Sequence, residues 1–112
     1  PPRAWIDLPI EGESVQNDLL ITGWAFNEDL GIDEIELVID QNPIVTLNYG
    51  IARSDVVEQI GVKSDPNAPN IGFDYVLDSH SIENGTHDIE IKIIDSLGNA
   101  TSYGKRQIRV NN

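Results

Sequence analysis

Polar and apolar residues alternate along most of this chain. Ile35, Leu37 and Ile39 would share one face of an extended segment while Glu34, Glu36 and Asp40 take the other. Ile89, Ile91 and Ile93 alternate in the same way with Asp88, Glu90 and Lys92, and Phe73, Tyr75 and Leu77 with Asp74, Val76 and Asp78. Successive side chains of a strand point to opposite faces, so a period of two predicts antiparallel strands that bury one side. Ile and Val dominate the apolar set, and β-branched side chains suit a pleated surface. Strands are expected near 4–8, 18–26, 32–40, 43–49, 71–77, 87–95 and 103–110. Turn residues divide them at Asp40-Gln41-Asn42-Pro43, Asn84-Gly85 and Ser96-Leu97-Gly98-Asn99. Short strands at hairpin spacing predict an all-β chain folded as a two-sheet sandwich. The expected core is Ile6 and Leu8, Leu19, Ile21 and Ala25, Ile35, Leu37 and Ile39, Leu47, Phe73, Tyr75 and Leu77, Ile89, Ile91 and Ile93, and Ile108 and Val110.

Residues 50–70 break the pattern, being too long for a hairpin loop. A short helix is expected near 54–61, with Asp55 as its cap, Glu58 at capping-box spacing, Val56, Val57 and Ile60 on its apolar face and Gly61 ending it. The run from Ser64 to Asn70, with Pro66 and Pro69, reads as an irregular loop.

Composition narrows the partners. The 112 residues carry 19 Asp and Glu against 7 Lys and Arg, a net charge of −12. A surface so negative repels nucleic acid and anionic membrane, and suits solubility and cation binding. There is no cysteine, hence no disulfide or thiolate. No apolar run approaches the length that spans a bilayer. Met is absent and the sequence opens at Pro1-Pro2, so the chain reads as a module from a longer protein.

Several short motifs occur in one order: Gly23-Trp24-Ala25-Phe26, Tyr49-Gly50 with Arg53-Ser54-Asp55-Val56, Gly72-Phe73, Asn84-Gly85-Thr86-His87, and Asp95 with Gly98-Asn99. Together they resemble bacterial immunoglobulin-like modules of the Big type, found in secreted, cell-surface and carbohydrate-active proteins. The resemblance covers about residues 5–110. It implies a single Ig-like β-sandwich over 1–112, excised from a multidomain protein, that acts as a non-catalytic accessory or adhesion module. The implied setting is bacterial and exported, with neighbouring domains of the same polypeptide as partners. A carbohydrate-binding module is the alternative.

Candidate ligand residues follow from the strand pattern. If Leu19, Ile21, Gly23 and Ala25 face inward, Trp24 lies on the outer face. An exposed indole can stack on the C–H face of a pyranose. In the other reading the 50–70 insertion covers it, with Arg53 stacked on the ring for about 0.5–2 kcal/mol. Trp5 also alternates outward, where it would serve edge or interdomain packing or join a platform with Tyr103. In the carbohydrate reading Trp5, Trp24, Tyr49 and Tyr103 supply stacking, and Arg53, Asp55 and Asn70 supply hydrogen bonds to polysaccharide.

Calcium needs six to eight oxygens. Turn acids offer candidates at Glu11 and Glu13, at Glu28 and Asp29, and at Asp95 with Asn99, although EF-hand spacing is absent. Asp95 with Gly98 and Asn99 also suits a hydrogen-bonded hairpin turn. His80 and His87 have no partner at metal spacing. No HExxH, nucleophile elbow or phosphate loop occurs, so the expectation is a non-enzyme. The sequons at Asn84 and Asn99 read as turns. Lys105, Arg106 and Arg109 are expected along the last strand, offsetting acids or discouraging edge pairing.

Overall fold

The computed structural model describes residues 1–112. The chain forms nine strands: β1 (Arg3–Leu8), β2 (Glu13–Val15), β3 (Asp18–Phe26), β4 (Ile32–Ile39), β5 (Asn42–Thr46), β6 (Asn48–Ile51), β7 (Gly72–Asp78), β8 (Gly85–Asp95) and β9 (Ala100–Val110). One helix, α1 (Ser54–Ile60), precedes β7. A four-stranded sheet has the order β1-β3-β7-β6 and a five-stranded sheet the order β2-β9-β8-β4-β5. The sheets face each other across one aliphatic core, each alternating strand burying its Ile, Leu and Val side. In immunoglobulin lettering β1, β3, β7 and β6 correspond to A, B, E and D, and β9, β8 and β4 to G, F and C, an Ig-like sandwich.

Two departures from the expected strands have clear causes. The segment expected as one strand near 43–49 is two, in different sheets: β5 pairs with β4, and β6 pairs with β7. Leu47 lies at the crossover, buried, with its N–H donated to the Ile35 carbonyl at 2.8 Å. The bonded backbone lets the chain pass from one sheet to the other without an orphaned amide. The additional strand β2 pairs with β9 in parallel, the one pairing that is not antiparallel. At three residues it is too short to show a period, and Val15, opposite Val110, is its single buried side chain.

Every expected core residue is buried except Leu8, Tyr75 and Leu77, which are half-buried. β6 pairs with β7 only from Gly72 to Asp74, so Tyr75 and Leu77 flank an open edge. Leu8 ends the outermost strand beyond a register shift.

A second, smaller core forms on the outer face of the four-stranded sheet. Phe26, Val56 and Ile71 are buried there, with Trp24, Val57 and Ile60 packed against them. Helix α1 thus lays its apolar side on the sheet. Gly61 ends the helix in the left-handed conformation, φ 81°, and returns its N–H to Val57. Asp55 is not the cap: Arg53 holds that position without a side-chain cap bond, and the Asp55 carboxylate is instead drawn to the Arg53 guanidinium.

β2 covers β9 only from Ile108 to Val110, so of the basic trio Arg109 lies in a stretch paired on both sides, while Lys105 and Arg106 lie beyond the end of β2. Arg106 is a stitch between the sheets. Its Nη1 donates to the carbonyls of Ile6 at 3.2 Å and Pro9 at 2.9 Å, and its Nε to that of Gly104.

Candidate functional site

The residues singled out for ligand binding fall into three places. Trp5 and Trp24 are cross-strand partners on β1 and β3. With Tyr103 of β9, Arg3 and Ile60 they line an open groove of about 390 Å³. Trp5 is 55% exposed. Trp24 is half-buried, stacked on Phe26 with ring centroids 5.9 Å apart, and the insertion packs against it. The expected cover over Trp24 therefore exists, but it is partial and leaves the ring in the groove wall. Arg53 is not stacked on it. The cation over a ring is Arg3, 5.5 Å from the Phe26 centroid.

Arg53 forms the second place. It contacts Asp55 (Nε to Oδ1, 3.2 Å) and reaches Asp7 on β1 (Nη1 to Oδ2, 3.4 Å). Charge-assisted bonds to two carboxylates outcompete a ring for a guanidinium. Asp55 is held below the usual carboxylate range, chiefly by its hydrogen bond from Arg53. The expected pair of ligand-gripping groups is thus engaged with itself.

Tyr49 and Asn70 form the third, lining a polar cleft of about 530 Å³ with Asp33 and Asn67. The Tyr49 hydroxyl donates to the Ala25 carbonyl at 2.8 Å. Burial, helped by the charge of Asp65, pushes its pKa up, so the donor is kept at all ordinary pH.

Among the acids nominated for calcium, the carboxylates of Glu11, Glu13, Glu28 and Asp95 accept backbone amides. Glu28 accepts N–H bonds from Lys63, Ser64 and Asp65 at 3.0, 2.9 and 3.0 Å. These bonds, led by that of Ser64, hold its pKa below the usual value. Asp29 donates its own N–H to the Ser64 hydroxyl. Asp95 is buried; desolvation, the largest influence, raises its pKa, but the side chain of Asn99 and the N–H groups of Asn99, Leu97 and Gly98 together bring it below normal. Asp95 and Asn99 also bond at 3.1 Å through the amide side chain, closing the hairpin turn. No three His, Asp or Glu side chains converge in metal-binding geometry.

Asp65 was missed by sequence reasoning. It is buried, taking the Asn27 N–H on Oδ2 at 2.7 Å and the Asn67 N–H on Oδ1 at 2.7 Å. Asp65 and Glu28 thus lock two loops reciprocally, each acid holding the backbone beside the other. The Asp65-Pro66-Asn67 string signals the local turn; the bond to Asn27 is long-range and has no local signal.

His87 ties the β4–β5 turn to β8. Its Nδ1 meets Asp40 Oδ2 at 2.6 Å and its Nε2 the Glu83 carbonyl at 2.7 Å. Both neighbours are acceptors, so the ring is favoured with both nitrogens protonated. Its pKa is raised, mainly by the Asp40 hydrogen bond against opposing desolvation. Stability from a raised pKa is complete below the unfolded value of about 6.5 and is lost as pH climbs through the native value. The melting temperature is therefore expected to fall over that interval in the wild type and to fall less in His87→Gln. Parallel profiles would rule out the ion pair as the cause.

No family model matches this chain, and no curated protein matches it in sequence. Solved structures do. The fold is similar to the fibronectin(III)-like modules of CbhA from Clostridium thermocellum, with TM-score 0.65 and 19% identity over 98% of this chain. It is also similar to part of the endo-β-1,4-mannanase from Thermotoga petrophila, with TM-score 0.68 and 10% identity over 100% of this chain. The chain spans 46% and 20% of the lengths of those two structures. At such identities the likeness establishes the fold: an Ig-like, fibronectin-like sandwich.

Proposed function

We propose that this chain is a non-catalytic Ig-like accessory module, a spacer or docking domain, of an exported bacterial protein that acts on carbohydrate or stands at the cell surface. The reading is carried by its match to one portion of two longer chains, a set of CbhA fibronectin(III)-like modules and a mannanase. The site chemistry agrees with it. Branched aliphatics fill the space between the sheets, and Glu28, Asp65 and Asp95 hold loop amides instead of gathering as acid and base. On this reading the chain is a Big-type module of an exported protein.

Removing residues 1–112 from the parent polypeptide tests it. Turnover of a small soluble substrate by the remaining domains is expected to persist, while their spacing or thermal stability changes. Turnover by the 112-residue chain itself would overturn the reading.

A further inference from the structure

Four residues that line one groove carry donor groups without hydrogen-bond partners in the protein. The Arg3 guanidinium makes no ion pair in a chain with 19 carboxylates, and lies over the Phe26 ring instead. Arg53 and Arg106 are by contrast engaged, Arg53 with two carboxylates and Arg106 with backbone carbonyls, while Arg109, Lys63 and Lys105 resemble Arg3 in making no ion pair. The indole N–H groups of Trp5 and Trp24 and the Tyr103 hydroxyl likewise bond to nothing in the chain. Arg3 and Trp5 are exposed, and neither Trp24 nor Tyr103 buries an unpaired polar atom, so the Trp24 N–H and the Tyr103 hydroxyl reach solvent. Arg3, Trp5, Trp24 and Tyr103 all line this groove of about 390 Å³, Trp5 is exposed there, and no acid lines it.

We propose that this groove binds a neutral glycan, through a run of pyranose rings. The inference adds a ligand to the accessory role. A sugar ring offers an apolar C–H face to an aromatic ring and hydroxyl oxygens to N–H and O–H donors. The groove presents that combination, with Trp5 as the platform and Arg3, Trp24 and Tyr103 as donors. Its lack of carboxylates disfavours a cationic ligand such as a basic peptide, which the rest of the surface would attract. The net charge of −12 repels a polyanion and leaves a neutral polymer unopposed. The groove is open rather than enclosed, which admits the middle of a chain. Trp5 and Trp24 are directly paired across neighbouring strands, so both residues lie within the span of one short stretch of sugar.

Native gel electrophoresis of the chain in a soluble β-glucan, a soluble glucomannan and polygalacturonate decides the matter. Retardation is expected in at least one neutral polysaccharide. Trp5→Ala is expected to weaken it about tenfold with the melting temperature unchanged, since truncating an aromatic anchor removes most of its contact energy. Tyr103→Phe and Arg3→Ala, each removing donors, are expected to weaken it less. Unaltered mobility in both neutral gels, retardation by polygalacturonate alone, or equal retardation of Trp5→Ala would overturn the proposal. None of these results touches the accessory reading, which the parent protein's turnover decides separately.

Discussion

Gly23→Ala is expected to destabilise the domain by about 3 kcal/mol, the upper range for forcing a methyl into a packed interior. Gly23 sits on β3 between the inward-facing Ile21 and Ala25, opposite Ile6 on one side and Phe73 on the other. A Cβ there would collide with the Trp5 carbonyl oxygen and the far end of the Phe73 ring, and would lie 3.1 Å from the Ile6 Cα. Two of these atoms are backbone of a paired strand, and Phe73 is 2% exposed, so no neighbour can give way. The restriction is one of space and not of backbone conformation. Urea unfolding followed by tryptophan fluorescence measures it. A change below about 0.5 kcal/mol, typical of an unconstrained surface site, would show that the strands separate freely. The Gly-Trp-Ala-Phe string acquires a physical meaning from this geometry. The inward Gly23 and Ala25 permit close packing, while the outward Trp24 and Phe26 found the second core.

Asp65→Ala is expected to cost about 3 kcal/mol. Two amides, of Asn27 and Asn67, lose a charged acceptor, and an unmet buried donor costs about 1–3 kcal/mol. The loop at 62–67 lies between helix α1 and the β3–β4 turn, so its release also loosens the cover over Phe26. Faster proteolysis within residues 50–70 is expected alongside the lower melting temperature. Asp65→Asn, which keeps one acceptor oxygen, is expected to fall between. A variant Asp65→Ala with wild-type melting and wild-type proteolysis would remove the clamp from the account.

The alternating segments were readable because the pleat writes itself locally: residues two apart share a face whatever the strand later pairs with. Ile35, Leu37 and Ile39, and Ile89, Ile91 and Ile93, are all buried for that reason. The helix at 54–60 and its Gly61 stop were equally local. Partner choice was not. Asp55 and Arg53 are two residues apart, yet Arg53 is drawn as well to Asp7, which is distant in sequence. With so many carboxylates, sequence spacing cannot say which of them meets a cation, which holds an amide and which faces water.

The chain alone determined its class, the faces of its strands and the position of its helical insertion, because these depend on neighbours a few residues away. Folding in three dimensions decided that the segment at 43–49 divides between sheets, that Arg3 and not Arg53 lies over a ring, and that Trp5, Trp24 and Tyr103 meet at one groove. Those outcomes depend on which strands become adjacent, and adjacency joins residues up to about a hundred positions apart, as in the bond from Arg106 to Ile6.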